Sequence, residues 1–204
     1  MINLPLYFDD YIPEVNELAF TPVDWSDFYP GAEEAIPPNM PEPRGNLVKV
    51  FCFVDADHAG NLLTRRSHTG TLIFLNNAPI SWYSKRQNTV ESSTFESELI
   101  ALRIAVEQVE GLRYKLRMFG IPIDGPADIF CDNQSVVKAA STPESTLSKK
   151  HNAICGYHKV REAAAAGTIL VAKEDGRTNL ADIFTKPLPG DRRYMLLQSI
   201  LYRG

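Results

Sequence analysis

Four acidic side chains stand at positions suited to hydrolytic chemistry: Asp55, Glu98, Asp132 and Asp182. Asp55 ends a run of apolar β-formers, Val48 to Val54, and Asp132 ends a second run, Ala127 to Cys131. Glu98 falls in the first turns of a long amphipathic stretch, and Asp182 lies in a short helical segment near the end. If the two strands run side by side and parallel, their acids leave the sheet at one edge, where open α/β sheets place active sites. Carboxylates gathered there repel one another unless a cation neutralises them. Oxygen ligands select hard ions such as Mg²⁺, and two such ions about 4 Å apart can activate a water and stabilise the leaving oxygen of a phosphodiester. Taken singly, an Asp after a strand is a turn or cap residue, and a Glu in a first helical turn suits the helix dipole. The ordered set of four is the informative feature.

The elements that must position these acids follow from periodicity. Thr69 to Leu75 and Ile80 to Lys85 read as two further strands joined by a turn at Asn76-Asn77-Ala78-Pro79, so that the first three strands form an antiparallel meander. Phe95, Leu99, Leu102, Val106, Val109, Leu112 and Leu116 recur at helical spacing. Ser92, Ser93 and Thr94 offer caps, and Gly120 with Pro122 stops the helix. A short helix from Gln134 to about Ala140 follows the fourth strand. A long helix over 150–166, a fifth strand over 168–172, a helix over 179–185 and a last helix over 192–202 complete the order. Three antiparallel strands followed by strand–helix alternation imply an α/β fold with a mixed five-stranded sheet, three strands antiparallel and then two parallel, flanked by helices.

Charge divides the chain. Residues 1–44 hold nine acidic side chains, one basic one (Arg44) and eight of the 14 prolines, whereas residues 45–204 hold 16 acidic and 20 basic side chains. The first stretch, of charge −8, cannot sustain long helices or inner strands. It reads as a linker or connector, or as a segment wrapped on a neighbour with Trp25, Phe28 and Tyr29 as anchors. The boundary falls near Gly45, with one domain over 45–204. Its charge of +4 suits a polyanion held around a metal site. Arg65 and Arg66 lie between the first two strands, Lys85 and Arg86 follow the third, and Lys149, Lys150 and His151 open the long helix; these seven are the candidate phosphate contacts. Of Trp82 and Tyr83, strand alternation puts one in the core and leaves the other to pack on a sugar. Cys52, Cys131 and Cys155 show no pairing or metal-ligand spacing and read as reduced core residues. No apolar run has the length of a membrane span and no signal peptide is recognisable, so an intracellular chain is expected.

The motifs V-D-A-D-H-A-G (54–60), R-R-S-H-T-G (65–70), P-I-S-W-Y-S-K-R-Q (79–87), S-S-T-F-E-S-E-L-I-A-L (92–102), C-D-N-Q-S (131–135), K-K-H-N-A-I-C-G-Y-H-K-V-R-E (149–162) and N-L-A-D-I-F-T-K-P-L-P (179–189) resemble the ribonuclease H region of copia-type LTR retrotransposon Pol polyproteins. The resemblance runs nearly continuously over 45–204, and E-A-I-P-P-N-x-P-E-P-R-G (34–45) resembles the connector before it. It implies the ribonuclease H-like fold and a metal-dependent endoribonuclease that hydrolyses the RNA strand of RNA–DNA hybrids during reverse transcription. It also implies two Mg²⁺ ions, with Mn²⁺ as a substitute, held by Asp55, Glu98, Asp132 and Asp182, while Asp57 and Glu96 stay outside the inner set. The implied partners are the hybrid and the reverse transcriptase domain of the same polyprotein, without a membrane. The implied location is a cytoplasmic virus-like particle, and the nucleus. The alternative is a catalytically decayed module that binds nucleic acid or tethers the polymerase, which the loss of any one acid would favour. Two departures stand out. The loop Lys173-Glu174-Asp175-Gly176-Arg177 lacks the mobile histidine of many ribonucleases H, and Gly156 reads as an extra residue that either bulges its helix or marks a decaying element copy.

Overall fold

The computed structural model describes residues 23–147 and 154–201. Its elements are β1 (Val50–Asp57), β2 (His68–Leu75), β3 (Ala78–Arg86), α1 (Thr94–Met118), β4 (Ala127–Cys131), α2 (Gln134–Ser141), α3 (Ile154–Ala165), β5 (Ile169–Lys173), a 3-10 helix (Leu180–Phe184) and α4 (Gly190–Ile200). The five strands make one mixed sheet in the order β3-β2-β1-β4-β5. The β3–β2–β1 meander is antiparallel, and β1–β4 and β4–β5 are parallel. This is the sheet that the periodicities imply.

Alternation along β1 divides the core between the two faces of the sheet. Val50, Cys52, Val54 and Ala56 point to one face, against Leu99, Leu102, Val106 and Val109 of α1 and Tyr157, Val160 and Ala163 of α3. Phe51 and Phe53 point to the other, against Leu72, Phe74 and Phe130, with Leu180 and Ala181 of the 3-10 helix and Leu196 of α4 closing over them. Asp55 continues the second set, which turns it toward the 3-10 helix. β1 runs on to Asp57, so Asp55 sits inside the strand and pairs with Gly70 of β2.

Local chemistry sets the ends of α1. Ser93 caps it by accepting from the Glu96 backbone N–H, and the Glu96 carboxylate accepts from the Ser92 N–H (3.0 Å) and the Ser92 hydroxyl (2.5 Å). This fixes the first turn and thereby the direction of Glu98. Gly120, at φ 67°, takes the left-handed conformation that ends the helix.

Several expectations change. The β2–β3 turn is only Asn76-Asn77, because Ala78 already pairs with Leu75 and Asn76 accepts the left-handed φ of 50°. The segment expected to be helical over 179–185 is a 3-10 helix, set by the Asn179 side chain, which accepts from the Ala181 N–H. Gly156 does not bulge α3: it is buried, and a Cβ there would meet the Arg103 Cδ at 3.5 Å. Neither Trp82 nor Tyr83 enters the core, since β3 is an edge strand. Trp82 is 67% exposed and Tyr83 half-buried. Cys155 is exposed on α3, whereas Cys52 and Cys131 are buried.

Residues 23–44 pack on the rest of the chain. Trp25, Phe28 and Tyr29 gather around the buried Arg161 of α3, whose guanidinium lies 4.8 Å from the Trp25 ring centroid. The same guanidinium donates to the carbonyls of Ala139, Thr142 and Pro143. The Tyr29 hydroxyl pairs with the His158 Nδ1 at 2.7 Å. Glu34 takes Arg113 at 2.7 Å and 3.0 Å and Arg117 at 2.5 Å.

Candidate metal centre

The four acids converge at one end of the sheet. β1 and β4 pair in parallel from Phe51–Asp128 to Val54–Cys131, which brings Asp132 level with Asp55. One oxygen each from Asp55, Asp132 and Asp182 lie within 4.8 Å of one another. Glu98 reaches the cluster from the α1 face, where it, Cys131 and Asp132 form a second group with the same spacing. Asp132 therefore belongs to both groups.

The 3-10 helix is pinned over the end of β1 by contacts of its own. The Asn179 amide donates to the Val54 carbonyl at 2.9 Å, and the Thr185 hydroxyl donates to Asp55. Close approach needs Gly70: a Cβ there would stand 2.7 Å from the Thr185 Cγ2 and 2.8 Å from the Ala181 carbonyl. In the loop without the histidine, Gly176 lies against Asp132, and its carbonyl accepts from Arg192.

The electrostatics are those of crowded acids with a partial internal counter-ion. Burial, and then the charges of Asp55 and Asp132, hold the Glu98 carboxyl well above its ordinary range. Burial and Asp55 likewise raise Asp132. Burial pushes Asp182 up to about 6, helped by Asp55 and opposed by Lys186. The Lys186 ammonium lies 2.7 Å from the Asp182 Oδ1 and 3.4 Å from the Asp55 Oδ2, and Arg192 pairs with the other Asp182 oxygen. The Glu98 Oε2 is buried with no hydrogen-bond partner among the described residues. An oxygen cluster of this charge, with a buried carboxylate oxygen left without a hydrogen bond, fits a divalent cation.

Arg65, Arg66, Lys85 and Arg86 lie at this same end: Lys85 and Arg86 pair with Thr69 and His68, and His68 is level with Asp57. Arg65, Lys85 and Arg86 are exposed and Arg66 half-buried, so the four flank the acids without joining them. Lys149, Lys150 and His151 lie outside the described residues. Asp57 and Glu96 stay out of both acidic groups, and Glu96 is engaged by the cap of α1. Lys186, Arg192, Asn179, Thr185 and Gly70 escaped the reading of the sequence. The spacing of four between Asp182 and Lys186 was the one signal available for any of them.

A mixed sheet in this order, with acids gathered at one end, defines a ribonuclease H-like domain. Two solved structures share the fold. One is the N-terminal RNase H domain of rv2228c from Mycobacterium tuberculosis, with a TM-score of 0.51 at 16% identity over 74% of this chain and 98% of that one. The other is LC11-RNase H1, isolated from compost and solved in complex with an RNA/DNA hybrid, with a TM-score of 0.52 at 14% identity over 67% of this chain and 94% of that one. Among curated proteins, the chain is similar to the retrovirus-related Pol polyproteins from transposons RE2 and RE1 of Arabidopsis thaliana, at 31% and 32% identity over 145 residues. The aligned segment is 71% of this chain and 10% of either polyprotein. No protein-family model matches the chain. The chain thus has the ribonuclease H-like fold and is similar in sequence to a segment of retrovirus-related Pol polyproteins.

Proposed function

We propose that this chain is a metal-dependent endonuclease that hydrolyses the RNA strand of RNA–DNA hybrids in the service of retrotransposon reverse transcription. The observation that carries the reading is the convergence, at one end of the sheet, of acids from four distant segments of the chain. Similarity to an RNase H1 solved with hybrid supports the substrate, and similarity to Pol polyproteins supports a reverse transcriptase domain as the partner. Asp55, Asp132 and Asp182 would hold one cation, and Glu98 with Asp55 and Asp132 a second, both Mg²⁺ in this reading with Mn²⁺ as a substitute. When bound, such ions supply a water nucleophile at neutral pH and neutralise charge on the leaving oxygen.

The chain's own residues do the rest. Thr185 and Lys186 fix the direction of the Asp55 carboxylate, while Lys186 and Arg192 hold Asp182. Arg65, Arg66, Lys85 and Arg86 would grip backbone phosphates on either side of the cut, giving register without sequence preference. Choice of RNA over DNA requires contact with the 2′-hydroxyl of the cut strand. The setting proposed is a cytoplasmic particle, and the nucleus. No helix among the described residues is long and apolar enough to cross a membrane.

The test is cleavage of a labelled RNA–DNA hybrid with Mg²⁺ and with chelator, beside an all-DNA duplex. Only the hybrid with Mg²⁺ should be cut. Asp132→Asn should abolish cutting, because an amide is a poor ligand for a hard ion, yet keep or slightly raise the Tm in chelator by relieving repulsion. Equal cutting of duplex DNA, or cutting by the variant at the parent rate, overturns the assignment.

A further inference from the structure

The two acidic groups differ in chemistry. Asp55, Asp132 and Asp182 offer oxygen alone, whereas Glu98, Cys131 and Asp132 bring a thiol into the set, with one donor atom from each within 4.8 Å of the others. Cys131 is the last residue of β4, and alternation turns its side chain toward α1, the face from which Glu98 arrives. Glu98 is itself only 7% exposed, and its Oε2 is buried with no hydrogen-bond partner among the described residues. A hard ion gains little from sulfur, whereas thiolate favours softer ions such as Zn²⁺ and Cd²⁺ over Mg²⁺. Two carboxylates and one thiolate can supply three of the four ligands of a tetrahedral Zn²⁺ site, leaving the fourth to water.

We infer that Glu98, Cys131 and Asp132 form a mixed sulfur–oxygen site for a thiophilic divalent cation, which inhibits the domain by occupying two acids that its Mg²⁺ chemistry requires. Binding forms a metal–sulfur bond and releases the thiol proton to water. The inhibitory half of this inference rests on the nuclease reading above, whereas the site itself does not.

The experiment uses the full chain with Cys155→Ser, which removes the exposed thiol. Metal-free protein is titrated with Cd²⁺ while ultraviolet absorption from thiolate-to-metal charge transfer is followed. Zn²⁺ inhibition of hybrid cleavage is measured in parallel at fixed Mg²⁺. One equivalent of Cd²⁺ should bring up the absorption, and both Cys131→Ala and Cys131→Ser should lose it. In those variants the Zn²⁺ needed to halve cleavage should rise at least about tenfold, the scale on which even an outer-shell change weakens a metal site. Glu98→Gln, which keeps the thiol and its packing, should weaken Cd²⁺ binding by a similar factor. Absorption that survives in both Cys131 variants, or is absent from the parent, overturns the site. Absorption that behaves as expected in a protein that never cuts hybrid with Mg²⁺ supports the site and removes the nuclease reading instead.

Discussion

At the scale of single residues, the acids of the site are shared between proton and ammonium and, under the proposed function, a metal ion. Asp182 titrates at about 6 in the folded chain against an ordinary 3.8, so the native state holds its proton more tightly than the unfolded chain does. Its contribution therefore favours folding below 3.8 and is lost as pH rises through about 6. Glu98 and Asp132, also raised, act in the same direction. In chelator, Asp182→Asn should flatten the fall of Tm across that window, and a slope equal to the parent's would contradict the assignment. With Mg²⁺ the dependence reverses, since ligands must shed protons to bind, so stabilisation by the ion should grow as pH rises through about 6. Lys186 competes for the same carboxylates. Lys186→Met should tighten Mg²⁺ by about tenfold or more, because a unit charge at this range is worth a few kcal/mol even when well screened. It should also lower the Tm in chelator. Unchanged Mg²⁺ affinity by calorimetry would show that the ammonium does not occupy the ion's place.

At the scale of elements, the 3-10 helix decides whether Asp182 joins the other acids. Gly70→Ala would drive a methyl into the Thr185 side chain and the Ala181 carbonyl, at a cost of about 1–3 kcal/mol for overpacking. It should also shift Asp182 away from Asp55. The expected result is a lower Tm together with weaker Mg²⁺ stabilisation; a loss of Tm with metal binding intact would separate the turn from the site. Asn179→Ala should cost about 0.5–1.5 kcal/mol by removing its hydrogen bond to the buried Val54 carbonyl. These elements also show what the sequence could reveal. Asp55, Glu98 and Asp132 were legible because each is tied to a periodic segment whose apolar alternation fixes a direction. The segment of Asp182 was legible as helical over 179–185, but its 3-10 form was not, since five residues are too few to show a period and that form depends on Asn179 reaching another strand. Nor could linear spacing show that Cys131 stands beside Glu98, because that proximity is made by packing α1 on β4. The order of the elements was readable because three strand signals, and then helix and strand signals in turn, follow one another without conflict from Val50 onward.

At the scale of the whole molecule, the leading proline-rich segment and the sheet edges set the outline. Arg113 has a side chain 3% exposed and relies on Glu34 for its counter-charge. Glu34→Ala should therefore destabilise the chain by on the order of 3 kcal/mol, as expected when one partner of a buried pair is removed. Cleavage by the folded fraction should stay unchanged. A variant that melts with the parent would mean that Arg113 is satisfied by the Gly125 carbonyl alone. At the opposite side, β3 is the outer strand of the meander. Bare strand edges invite a further strand from another molecule. Here Ile73 pairs with Ser81 and Phe74 with Pro79, which leaves Ile80 as an extra residue that bends the strand. Pro79 offers no N–H, and Lys85 with Arg86 places two positive charges at the far end. A second copy approaching this edge would meet a kink, a missing donor and its own repelling charges. The sheet is thereby guarded against growing from molecule to molecule.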